Sequence, residues 1–98
     1  MIKTINVDEY EYYINALERA KIGLENRKSI LQLAIYFNLK ETPEYKNILN
    51  EYIIYTKLYN QEKENFKINC LDKIIDNNFN GTWTIDFELK EVTFNDNE

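Results

Sequence analysis

From Tyr10 onward apolar residues recur at alternating steps of three and four: Tyr10, Tyr13, Leu17, Ala20, Leu24, Leu31 and Ala34, interrupted only by Arg27. That period is one face of an α-helix. Ile14, Ile30, Leu33, Ile35 and Phe37 widen the stripe, as a core-facing helix of a globular domain requires rather than a narrow coiled-coil seam. Upstream, Asn6 followed by Glu9 has the spacing of a capping box, and Asp8, Glu9 and Glu11 complement the positive helix end. A first helix is therefore predicted over 6–38. Gly23 is its weak point, costing about 1 kcal/mol relative to Ala.

Thr42-Pro43-Glu44 is the clearest boundary in the chain: Thr caps, Pro fits the first helical position and Glu favours the N-terminal turn. Beyond it Tyr45, Ile48, Tyr52, Tyr55 and Tyr59 share one stripe, flanked by Leu49, Ile53, Ile54 and Leu58. A second helix is predicted over 42–76, antiparallel to the first because the connection is so short. The polar run Asn60–Asn65 precedes a resumed pattern of Phe66, Ile68, Leu71, Ile74 and Ile75. The helix either runs on through 60–65 or kinks there and restarts as a short third helix. The absence of Gly and Pro favours continuation. Asn77 to Gly81 then supplies residues suited to the left-handed positions that end helices.

The period changes to two at Thr82-Trp83-Thr84-Ile85-Asp86-Phe87, with Trp83, Ile85 and Phe87 on one face and Thr82, Thr84 and Asp86 on the other. Glu91-Val92-Thr93-Phe94 repeats it after a turn at 88–90, so a β-hairpin is predicted over 82–94. A lone hairpin is marginal in water. It must pack on the helices or gain a third strand, for which Ile2–Ile5 is the candidate. The fold class expected is α+β, a long antiparallel helical hairpin followed by a C-terminal β-hairpin packed on it, in one domain spanning 1–98.

Charge alters this picture at one place. Residues 1–40 sum to +1 and 41–75 to −1, whereas 76–98 sum to −5, with Asp86, Glu88 and Glu91 beside the only Trp. An acidic rim around an aromatic strip is a candidate binding surface for a basic protein. Without a stripe of Lys and Arg to displace counterions, nucleic-acid binding is not expected. No apolar run reaches the roughly 18 residues of a membrane span, and Met1-Ile2-Lys3-Thr4 lacks the apolar core of a signal peptide, so a cytoplasmic location with a reduced Cys70 is expected.

The chain contains no His, the commonest general base and zinc ligand, and its two glycines form no phosphate-cradling loop. Ser29 and Cys70 both fall on helical patterns, Cys70 among apolar neighbours as a buried small hydrophobe. Paired carboxylates at Glu62 and Glu64, or Asp86 and Glu88, read as solubilising faces rather than acid–base or metal pairs. Neither catalysis nor a metal or other cofactor is expected. The eight Tyr are first of all core fillers with solvent-facing hydroxyls, and secondly interface anchors.

The expected function is therefore non-catalytic binding of a larger macromolecule, through Trp83, Asp86, Glu88 and Glu91 together with Tyr52 and Tyr59. Small, acidic and motif-free, with a Lys-, Asn- and Ile-rich composition typical of A/T-rich genomes, the chain suits a phage or mobile-element inhibitor of a host defence enzyme, of the anti-CRISPR kind. Its partner would be a larger protein or ribonucleoprotein with a basic surface. The alternatives are an accessory or substrate-presenting subunit of a larger enzyme, or an antitoxin or immunity protein. A dimer is compatible with either class.

Overall fold

In the computed structural model, residues 2–75 and 81–96 are described. Strand β1 (Ile2–Asn6) leads through one 3-10 turn (Asp8–Tyr10) into helix α1 (Glu11–Tyr36). A second 3-10 turn (Leu39–Glu41) connects it to α2 (Pro43–Phe66), and strands β2 (Gly81–Asp86) and β3 (Glu91–Asp96) follow. The helical hairpin and the β-hairpin are both present, and Ile2–Asn6 is the third strand. It pairs antiparallel with β3, not β2, so the sheet order is β1-β3-β2.

The helix ends form differently from the sequence expectation. Asn6 Oδ1 accepts from the Asp8 amide at 3.1 Å, making a local turn, and the α-helix proper begins only at Glu11. Thr42 makes no side-chain cap; its hydroxyl donates back to the Leu39 carbonyl at 2.6 Å, while Pro43 takes the first helical position. Asn38 supplies the left-handed residue after α1, at φ 58°. Gly81, expected to serve likewise, has no positive φ and opens β2 instead. The other residues of that expected stop, Asn77 to Asn80, lie outside the described residues.

α2 passes through 60–65 without a break, as the lack of Gly and Pro implies. Its irregularity comes later, as a π-helical turn over Lys67–Leu71 followed by a last α-helical turn, Asp72–Ile74. The wider turn rotates the helix so that Phe66, Cys70 and Leu71 all reach the core. The Asn69 amide donates to the Asn65 carbonyl at 2.8 Å, satisfying an acceptor where the hydrogen-bond ladder changes step.

The core lies where the sheet covers the base of the hairpin: Val7, Ile14, Leu17, Phe66, Cys70, Leu71, Val92 and Phe94, with Trp83, Ile85 and Tyr59 packed against them. Val92 and Phe94 sit on the central strand, where cross-strand neighbours flank them on both sides. Further along the hairpin no third layer exists, and Ala34 is the one fully buried residue there among those described. Ile30, Leu33, Ile35 and Phe37, expected to widen the core face of the first helix, are exposed. Their helical period is real, but no described element comes to cover it.

The two helices approach closely at Gly23. A methyl group there would lie 2.8 Å from the Tyr55 ring, and that ring is held by Arg27, whose guanidinium stacks 4.5 Å from its centroid and whose Nη2 donates to its hydroxyl at 3.3 Å. Arg27 also pairs with Glu51 at 3.1 Å, which explains how a cation interrupts the stripe. Gly23→Ala should therefore destabilise the protein by about 1–2 kcal/mol, overpacking outweighing the helix-propensity gain. The same change in a Tyr55→Ala background should instead be stabilising, and urea melts of the four variants would expose an error if Gly23→Ala alone raised the midpoint.

Candidate functional site

The β-hairpin turn carries the acidic residues. Asp86 and Glu91 are directly opposite across β2 and β3, on the sheet face away from the helices, and Glu88 stands exposed in the turn between them. Like charges in this register repel. Asp86 has a local structural role: its Oδ1 accepts from the amides of Glu88 at 3.0 Å and Leu89 at 2.9 Å, an Asx-type closure of the turn. The one cation in the turn, Lys90, is directed away from these acids. Its ammonium meets Glu11 at 2.7 Å, and its carbonyl accepts from the Val7 amide at 2.8 Å. The hydrogen bond from Lys90 and then its charge hold the Glu11 carboxyl below the usual range. The Asp86–Glu88–Glu91 group thus lacks a cation of its own among the described residues.

Trp83 and Tyr59 meet on a different surface. Trp83 is half-buried on the helix-facing side of β2, its ring centroid 5.5 Å from that of Phe66. Beside it runs a groove of about 470 Å³ lined by Leu17, Lys21, Tyr59, Lys63 and by Gly81 to Ile85 and Phe87. Because consecutive strand residues point to opposite faces, a lining that includes Thr82, Trp83, Thr84 and Ile85 places this groove along the free edge of β2. Lys21 lies over the Phe87 ring at 5.3 Å and Lys63 over Tyr59 at 5.5 Å. Lys21 and Lys63 were not singled out by the sequence; the only signal was their placement four residues after Leu17 and Tyr59.

Tyr52 belongs to neither surface. It is half-buried on the α2 stripe within the helical hairpin, and its carbonyl accepts from the Thr56 hydroxyl at 2.8 Å. The six sequence candidates therefore divide three ways: Asp86, Glu88 and Glu91 at the turn, Trp83 and Tyr59 at the groove, Tyr52 in the hairpin.

A third surface was not anticipated as a site. On α1, Leu17 and Lys21 face the sheet and groove, and Gly23 and Arg27 face α2. By the helical period Ile22, Ile30, Leu33 and Phe37 fall on the side away from the sheet. Ile54 and Leu58 of α2 are likewise turned from its groove-facing Tyr59 and Lys63. These six residues are 42–62 % exposed. Soluble monomers seldom leave apolar patches beyond about 300–600 Å² uncovered.

Conventional reactive chemistry is sparse. Cys70 is fully buried, and burial, followed by the charge of Glu9, pushes its thiol up to about 11. Ser29 is exposed in mid-helix. No group of three or more potential metal ligands occurs among the described residues, and no described helix is long and apolar enough to cross a membrane. Comparison with protein-family models, with curated proteins and with solved structures yields no match to this chain.

Proposed function

We propose that this protein is a non-catalytic binding protein that docks on a larger protein or ribonucleoprotein, and that it acts as an inhibitor of a host defence enzyme, of the anti-CRISPR kind, by covering a basic surface. The observation that supports the binding reading is the exposure of six large apolar residues of the helical hairpin, Ile22, Ile30, Leu33, Phe37, Ile54 and Leu58. Apolar contacts of this type supply the slow off-rate of an interface. The uncompensated Asp86, Glu88 and Glu91 supply steering toward a cationic partner. The inhibitor reading rests further on a net charge of −5 and the scarcity of catalytic groups in this sequence.

The test uses purified RNA-guided nucleases with a positively charged nucleic-acid channel, assayed for DNA cleavage in the presence of the intact chain. Inhibition near stoichiometric concentration is expected. Leu33→Glu with Phe37→Glu should raise the off-rate by about 100-fold, the scale of losing two anchors. Asp86→Lys, Glu88→Lys and Glu91→Lys together should slow association and reduce its salt dependence. A panel of such nucleases left fully active at tenfold excess would remove the inhibitor reading. A homodimer in sedimentation that Leu33→Glu with Phe37→Glu dissociates would assign these residues to a second copy.

A further inference from the structure

We infer that the groove along β2 is a docking site for an extended peptide segment bearing carboxylate side chains, which adds to the sheet as a fourth strand. Among the described residues β2 pairs only with β3, and one side of its backbone has no strand partner there. Proteins commonly blunt such edges with Lys, Pro or a covering element. The other edge strand, β1, carries Lys3, whereas Gly81–Asp86 contains neither Lys nor Pro. The edge instead opens onto a groove with an aromatic and aliphatic wall, Leu17, Tyr59, Trp83 and Phe87.

The occupant is indicated by charge. The two cations at the groove are Lys21 and Lys63, each with its ammonium over an aromatic ring, a contact that leaves the charge in place. Lys63 has no ion-pair partner among the described residues, and Lys21 has only a loose pair with Glu25 at 3.9 Å. Strand addition supplies main-chain hydrogen bonds, and alternate side chains of the incoming segment point into the groove. The six residues of β2 extend about 20 Å, enough to pair with a segment of similar length. Apolar side chains would meet Trp83 and Tyr59, and carboxylates would meet Lys21 and Lys63. This surface adjoins the acidic turn at Asp86, whose side chain lies on the other face of β2, and its cations are at the groove wall, so the inference stands whether or not the chain inhibits a defence enzyme.

Trp83 is the only tryptophan in the chain and lines the groove, so its emission reports occupancy directly. An N-acetylated, C-amidated octapeptide alternating Glu and Val is the probe, added to the full chain. A saturable change in Trp83 emission is expected, with amide shifts in NMR concentrated on Gly81–Phe87. Lys21→Glu with Lys63→Glu should weaken binding about tenfold, as two partly exposed ion pairs would. N-methylation of alternate peptide amides should abolish it in one of the two phases, because only one set of amides faces the strand. Three results would overturn the inference. One is no emission or amide change with the Glu/Val peptide up to millimolar concentration. Another is equal binding of a Lys/Val peptide or of both N-methylated phases. The last is a chain dimer that the Lys21→Glu, Lys63→Glu variant loses, which would give the edge to a second copy.

Discussion

Phe66→Ala is expected to remove about 3–5 kcal/mol of stability, the scale for emptying a fully buried aromatic site. Phe66 has no exposed surface, ends α2 where the π-helical turn begins, and packs on Trp83 across the interface between hairpin and sheet. Its loss would leave a cavity where α2 meets the sheet. A domain of this size has roughly 5–15 kcal/mol in total, so the melting temperature should fall by about 15 °C or more. Trp83 emission and far-UV circular dichroism should report the same transition in urea. A loss below about 1 kcal/mol would mean that the sheet does not seat on the hairpin through this residue.

Stability is next expected to decline as pH rises from about 9 to 11, with Cys70 as one identifiable source. Burial favours the neutral thiol, raising its folded-state value from 9.0 to about 11. The folded chain therefore holds this proton more tightly than the unfolded chain does. The associated stabilisation is complete below the unfolded value and disappears as pH passes the folded one. Two pH units correspond to on the order of 2–3 kcal/mol. Tyr10, raised by burial first, then by Glu9 and Cys70, adds to the same slope, and the part due to Cys70 is lost when the thiol is removed. Cys70→Ala should lose about 1 kcal/mol near neutral pH, as a small core truncation does, yet show a flatter decline above pH 9. In the folded parent the thiol should react with a disulfide reagent at pH 8 far more slowly than in urea. Parallel alkaline slopes for parent and variant, or rapid labelling of the native thiol, would contradict this placement of Cys70.

Some of these properties are local and were legible in the chain. The steps of three and four from Tyr10 to Ala34, the Thr42-Pro43 boundary and the alternation from Thr82 to Phe87 each report a contest between backbone hydrogen bonds and side-chain sterics within a few residues. They therefore determined the two helices, their antiparallel connection, the β-hairpin and the helical burial of Cys70. Absence is equally local: no His and two glycines restrict catalytic chemistry whatever the fold. The tertiary structure decided everything that depends on what comes against a face. Ile30, Leu33 and Phe37 widen the apolar stripe of α1 onto the side turned away from the sheet, whereas Ile14 and Leu17 face it, so an apolar pattern is core on one side of the helix and surface on the other. Gly23 reads as a weak point until Tyr55 arrives beside it. Trp83 and Tyr59 converge with Lys21 and Lys63 at one groove because β2 lies at the sheet edge, while Asp86 and Glu91 fall on the opposite face by strand alternation and Glu88 in the turn. Periodicity specifies which residues share a side of one element; burial and juxtaposition require a second element, and its position is set by packing between residues distant in sequence.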